Sequence, residues 1–415
     1  MSIRKRTWKT AKGEGKTAWV VDYAVKGKRR LKTFAKKKDA EAFRDGTGVE
    51  IRQGTHVAAR DSDKVSTAGE DWIKSAEADG LERSSTEAYR SHLDLHIKPY
   101  LGEMKLSDLN VPVLREFEDW LRDNGRSPAM VRRVMVSLGT LLANAQERGR
   151  VARNVVRDMR ARRRRGERID KRQKGKLKVG VDIPTPAEIR AIVAALQGRW
   201  RPLLLTAIFT GLRASELRGL RWSDVDLEKR VLHVHQRADR FNEIGKPKSV
   251  SGERTVPLPP LVVNALREWQ LACPLRKTGK VDKDGKPIVV LDLVFPSGNG
   301  NIEGLSNIIR RGLMPTQINA GVTVPLVDDK GEPRTDENGE PIVAAKYTGM
   351  HALRHFYASW CINRREDGGL ALPPKVVQER MGHSTVVLTM DVYGHLFPSG
   401  DDGEEMAAAE RALLG

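Results

Sequence analysis

Between Arg160 and Lys178 the chain carries eleven basic residues against two acidic ones and almost nothing apolar. Such a stretch cannot bury enough surface to offset the entropy of ordering it, so residues 159–183 read as a linker. Any packed structure must then form separate bodies on either side. At 415 residues the chain is long enough for two or three domains, each with its own core. Its 73 Lys and Arg against 54 Asp and Glu leave a formal charge of +19. That excess favours a polyanionic partner, nucleic acid ahead of an anionic membrane surface. Ribosomal and histone-like proteins share the charge, but they are usually shorter and lack a large apolar domain. Only two cysteines, Cys273 and Cys361, are present, with no CxxC pair, so neither a disulfide framework nor structural zinc is expected. The start, Met1-Ser2-Ile3-Arg4-Lys5-Arg6, lacks the apolar core of a signal peptide, and no apolar run reaches about 18 residues. A reducing cytoplasm without a membrane partner is the expectation.

Before the linker the pattern changes once. Trp19, Val21, Tyr23 and Val25 alternate with other residues, the period of a half-buried strand, and Arg29 to Phe34 can return as a second. Ala35 to Ile51 then reads as a helix with Ala40, Phe43 and Ala42 toward the sheet. Residues 1–58 are thus a small basic sheet-plus-helix domain, with Arg29, Arg30, Lys36 and Lys37 as candidate phosphate contacts. Residues 64–158 read as an all-α bundle of four or five helices. Tyr89, Leu93 and Ile97 mark one apolar face, and Leu114, Phe117, Trp120 and Leu121 another behind Pro112. Ser127-Pro128 offers an N-cap and first-turn pair for a helix carrying Val131, Val134, Leu138, Leu141 and Leu142. Its polar side carries Arg132 and Arg133, with Arg148 at its end; in the linker, Arg162, Arg163, Arg164 and Arg165 are the densest cations.

After the linker, residues 184–398 read as a mixed, mainly α domain with a small antiparallel sheet. Thr185, Pro186 and Glu188 form a capping box that opens a helix. Leu203 to Phe209 reads as a buried helix that delivers Arg213 past Gly211. Val231–His235 and Arg254–Leu258 are short strands flanking the Lys246-Pro247-Lys248-Ser249 turn. Residues 281–290 and 322–344 carry Asp, Gly and Pro turns and read as inserted surface hairpins, with the wrong ligand spacing for calcium loops. Residues 399–415 end in a short Ala- and Leu-rich helix, too short to stand alone in water.

Three segments carry the chemistry: Thr210-Gly211-Leu212-Arg213-Ala214-Ser215-Glu216, His351-Ala352-Leu353-Arg354-His355, and Gly382-His383 followed ten residues later by Tyr393. His351 and Arg354 fall on one helical face. Tyr393, beside Gly394 past the end of a short helix, reads as exposed. In this order and separation Arg213, Lys248, His351, Arg354, His383 and Tyr393 resemble the tyrosine site-specific recombinases of the phage-integrase type. The resemblance implies a recombinase fold with an N-terminal arm domain, a core-binding bundle and a catalytic domain. It also implies cleavage by Tyr393 through a 3′-phosphotyrosyl bond, without cofactor or metal.

The roles follow from phosphoryl chemistry. Arg213 and Arg354 grip the non-bridging oxygens through planar forks, and His383 adds a hydrogen bond. His351 is the candidate base for the phenol, Lys248, with Lys246 as its competitor, protonates the leaving oxygen, and Glu216 orients the site. The implied partners are double-stranded DNA, three further copies in a tetrameric synapse, and DNA-bending or directionality factors, in the nucleoid of a bacterial host. A type-IB topoisomerase and a non-catalytic architectural DNA-binding protein are the alternatives.

Overall fold

The computed structural model describes residues 1–9, 15–25, 27–52, 62–161, 176–247, 249–281, 285, 287–328, 331–397 and 402–414. These form two compact units, Met1–Glu167 and Arg168–Gly415. Among the described residues no helix is long and apolar enough to cross a membrane.

The first unit opens with three antiparallel strands in sequence order, β1 (Ser2–Lys9), β2 (Gly15–Val25) and β3 (Lys28–Phe34). Helix α1 (Lys37–Arg52) covers them, and Val21, Tyr23 and Ala40 form a small core with Phe34 and Phe43 packed against it. Ala42 is exposed, because the buried face of α1 runs through Ala40, Phe43 and Thr47 at helical spacing. The bundle follows with α2 (Val65–Ala78), α3 (Arg83–His92), α4 (Val111–Asp123), α5 (Pro128–Glu147) and α6 (Val155–Ala161). A π-helical turn over Leu93–Ile97 continues α3. Ser127 caps its helix as the sequence expects, accepting from Met130 N–H ahead of Pro128, and Asn110 accepts from Val113 N–H ahead of Pro112. Leu93, Ile97, Leu114, Phe117, Leu121, Leu138 and Leu141 fill one core.

Both ends of the basic stretch are built into folded structure. Arg160 and Ala161 close α6. At the other end Lys178 N–H is bonded to Asp182, and Leu177 packs against the second unit's core, where its carbonyl meets His395 Nε2 at 2.7 Å. One leucine within the charge run provides what a purely charged run lacks. Residues 162–175, including Arg162, Arg163, Arg164 and Arg165, lie outside the described residues.

In the second unit the Thr185–Glu188 capping box opens α7 (Pro186–Ala195). Helix α8 (Trp200–Thr210) is buried along Leu203, Leu204, Leu205 and Ile208, and it ends at Gly211, whose φ of +61° is left-handed. Short helix α9 (Ala214–Gly219) leads to a sheet ordered β4 (Val225–Asp226), β5 (Val231–Val234), β6 (Arg254–Pro257), all antiparallel. Helix α10 (Pro260–Ala272) packs on α8. The first insertion is a hairpin of β7 (Arg276–Val281) and β8 (Pro287–Val290), both strands exposed along their length. The second pairs β9 (Thr323–Pro325) with β10 (Val343–Ala345). Between them the same turn occurs twice. Asp328 N–H donates to Glu332 O and Asp336 N–H to Glu340 O, both at 2.8 Å, and Gly331 and Gly339 hold φ of +87° and +81°. Three helices complete the site, α11 (His351–Ile362), α12 (Pro374–Met381) and α13 (Val386–Tyr393), before the tail helix α14 (Asp402–Leu414).

Gly211 is the tightest of these joints. A Cβ there would collide with the Tyr357 ring while the backbone keeps its positive φ. Gly211→Ala should therefore cost about 3 kcal/mol, combining strain with overpacking; a urea midpoint unchanged from the native protein would refute that.

Candidate active site

Helix α12 ends in a left-handed residue, Gly382, with His383 N–H donating to Gln378 O and Gly382 N–H to Glu379 O. The last carbonyls of any helix lack partners and carry the negative end of its dipole. Here three successive ones are each taken by a different guanidinium. Arg254 Nε donates to Arg380 O at 2.8 Å, Arg354 Nη2 to Met381 O, and Arg213 Nη2 to Gly382 O at 3.0 Å. Arg354, on α11, also donates to Gly211 O at 2.5 Å. It thereby joins the end of α8 to the end of α12.

Glu216, on α9, gathers the other two cations. Its carboxylate accepts from Arg254 Nη2 at 2.8 Å and Nη1 at 3.2 Å, from Arg213 Nη1 at 2.8 Å, and from the Arg213 backbone N–H at 2.9 Å. The Arg254 and Glu216 side chains are only 6% and 2% exposed, while that of Arg213 stays 34% open. Burial alone would raise the Glu216 pKa, but Arg254 and then Arg213 hold it at about 2. Burial, then Arg213, pulls Arg354 below the ordinary guanidinium range; it remains charged at neutral pH.

Tyr393 closes α13 and is 2% exposed, not the exposed residue that its place beside Gly394 suggests. Its ring joins Tyr357, Ala358, Ile362, Val377 and Met381 in an apolar cluster, because the packing of α13 on α11 and α12 turns it inward. Burial pushes the phenol up to about 12, against the pull of Arg354 and Arg213, so it is fully protonated at neutral pH. Its oxygen lies 2.7 Å from His355 Nδ1. His383 stacks parallel to the phenol with ring centroids 6.2 Å apart, and its Nδ1 meets Thr389 Oγ1 at 2.9 Å. His351 is exposed at the head of α11 and stands edge-on to His355, centroids 4.8 Å apart. Desolvation, then Arg354 and Arg213, lowers the His351 pKa. Burial and the same two cations bring His383 to about 4.

Five of the six expected residues, Arg213, His351, Arg354, His383 and Tyr393, therefore line one site. The sixth, Lys248, lies outside the described residues. Its neighbours are tied to the site, since Arg254 Nη1 donates to Gly252 O at 2.9 Å. Lys246 offers its backbone carbonyl to Arg237 at 3.1 Å. Arg254 and His355 are the residues that spacing alone misses. Among the expected DNA contacts, Arg132, Arg133, Lys36 and Lys37 are exposed. Arg29 is exposed too, but grips Asp22 through its Nε at 3.0 Å, and Arg30 is half-buried. Arg148 donates to Ser75 Oγ at 2.7 Å within the bundle.

Residues 184–399 match the phage integrase family model, and residues 67–121 match the phage integrase N-terminal SAM-like domain. The chain is 27% identical over 331 residues to a XerC-like tyrosine recombinase of Caldanaerobacter subterraneus, spanning 75% of this chain and 73% of that protein. It is 29% identical over 197 residues to the transposase of transposon Tn916 from Enterococcus faecalis, a match covering 46% of this chain and 41% of that one. Among solved structures, the Tn1549 transposon integrase bound to transposon right end DNA superposes with a TM-score of 0.59 at 20% identity, over 85% of this chain and 100% of that one. A lambda integrase dimer on a core site superposes at 0.53 and 15% identity, over 95% and 97%.

The Glu216 linkage has a definite sign. Its pKa falls from 4.5 to about 2 on folding, worth about 3 kcal/mol that is complete above about pH 4.5 and lost as pH drops toward 2. The difference in unfolding free energy between the native protein and Glu216→Gln should shrink by most of that amount between pH 6 and pH 2. A difference independent of pH would show that the carboxylate is not held by these arginines.

Proposed function

The chain belongs to the phage integrase family and has the fold of its tyrosine recombinases, and from that membership we propose how it works. It is a site-specific recombinase that cuts and rejoins DNA to integrate or excise a mobile element, a reading favoured by its likeness to transposon and prophage enzymes. The observation that carries it is the row of three guanidinium groups on the carbonyls of residues 380–382, beside a buried tyrosine. With one carboxylate among three arginines, the site keeps an excess of positive charge, and Arg213 leaves part of its fork open to a phosphate.

In this reading a phosphodiester docks on Arg213 and Arg354, with His351 and His383 adding imidazole contacts. Donors fixed in advance stabilise the charge that grows on the equatorial oxygens, at no reorganisation cost during the reaction. The Tyr393 oxygen passes its proton to an imidazole of the site and bonds to phosphorus, the bond to the 5′-oxygen breaks, and Lys248 protonates that oxygen as it leaves. The covalent phosphotyrosine conserves the bond energy, so a second strand's 5′-hydroxyl can reverse the attack without ATP. Glu216 orients the arginines. Residues 1–58, the bundle of 64–158 and the basic run of 162–175 hold the duplex through Lys and Arg contacts to phosphate, which makes affinity salt-dependent. Four copies assemble on the paired sites and exchange strands through a four-way junction. The tail helix docks on a neighbouring copy, and bending or directionality factors set the outcome.

The test uses a nicked suicide duplex built on the repeat that borders the element carrying the gene. Native protein should accumulate a covalent adduct, whereas Tyr393→Phe should bind equally well and trap none. Arg213→Ala should slow cleavage about 100-fold or more while affinity changes by less than about tenfold. A non-catalytic architectural protein would give no adduct in any form, and equal losses of rate and affinity in Arg213→Ala would remove that residue from the transition state.

A further inference from the structure

Among the described residues the phenol of Tyr393 has one side chain at hydrogen-bonding distance, and it is not either histidine of the expected set. Its oxygen lies 2.7 Å from His355 Nδ1, one helical turn past His351 on α11. His351 meets His355 ring edge to ring face, at an interplanar angle of 88°. His383 lies parallel to the phenol and gives its own Nδ1 to Thr389. At 2% exposure, Tyr393 has little room for water to replace that partner. Deepening the recombinase reading above, on which it rests, we propose that His355 is a catalytic residue. Its Nδ1 holds the Tyr393 hydroxyl and receives the proton as the phenolic oxygen bonds to phosphorus.

The step balances without an outside reagent. During cleavage the Oη–P bond forms, the P–O5′ bond breaks, the phenolic proton passes to Nδ1, and the 5′-oxygen takes its proton from the opposite side of the phosphate. During rejoining the imidazolium returns the proton to the departing phenolate, as reversibility requires. Burial, then His351 and Arg354, pushes His355 down to about 4, which leaves the ring neutral with a free lone pair at neutral pH. Against a phenol held near 12 such an imidazole is a weak base. The gap closes as the reaction proceeds, because the phenolic proton grows acidic while Oη bonds to phosphorus, and the negative charge of the docked phosphate makes the imidazole more basic. Helix α11 thus supplies both a phosphate grip, Arg354, and the acceptor for the nucleophile, Arg354's immediate neighbour in sequence.

Two variants measured by single-turnover cleavage of the nicked duplex separate proton transfer from packing. His355→Asn keeps a polar group near the position of Nδ1 but cannot accept a proton, and His355→Leu removes both functions. Both should bind the duplex like the native protein and cleave about 100-fold or more slowly. Replacing the bridging 5′-oxygen of the substrate with sulfur, which leaves without a proton, should restore neither. Cleavage by His355→Asn within about threefold of native would overturn the assignment, as would recovery of both variants on the sulfur substrate, which would place His355 on the leaving group. If the native protein forms no adduct, the recombinase reading falls as well; a native adduct with an unimpaired His355→Asn removes only this inference.

Discussion

Three positive side chains share the last turn of one helix, and the rest of the catalytic unit is arranged to make that tolerable. Guanidinium groups packed together repel one another, and taking them out of water adds to the cost. Two features offset this. The final carbonyls of α12 present the negative end of a helix dipole and would otherwise lack partners, and Glu216 places a full negative charge against Arg213 and Arg254. Each arginine comes from a different stretch of chain: after α8, on β6 and on α11. The contact therefore does more than hold charge. It sets the mutual positions of a helix exit, a strand and two helices.

The proposed nucleophile, Tyr393, meets the same balance from the other side. A tyrosine in the apolar cluster of Tyr357, Val377 and Met381 is held against premature ionisation, yet it lies close enough to Arg213 and Arg354 for both to lower its pKa. Burial and the two cations oppose each other, and burial wins. A protonated, sequestered phenol suits a protein that has to find its target before it cuts.

Much of this could be read from the residues. Capping at Thr185 and Ser127 follows local rules that tertiary packing did not override, so those helices begin where expected. The arginines and histidines of the site sit in short motifs at helix ends, which local pattern registers well. Arg254 was beyond reach, because it enters the site from a strand and its partners, Glu216 and Arg380, are distant in sequence. The burial of Tyr393 and its pairing with His355 also depend on how α11, α12 and α13 pack, which no periodicity encodes. Leu177 shows the reverse error: composition averaged over a charge run hides the one apolar side chain that fixes its end.

The second insertion is built differently from everything around it. Its two turns repeat one hydrogen-bonding pattern, each closed by its own aspartate: Asp328 Oδ1 accepts from Glu332 N–H, and Asp336 Oδ1 from Glu340 N–H, both at 3.0 Å. Successive cross-links, Arg334 N–H to Leu326 O and Ile342 N–H to Arg334 O, pass the pairing from one turn to the next. A projection assembled from interchangeable modules can gain or shed one by an in-frame duplication or deletion of a few codons, with β9 and β10 still meeting at its root. Length polymorphism between kindred proteins would then accumulate here.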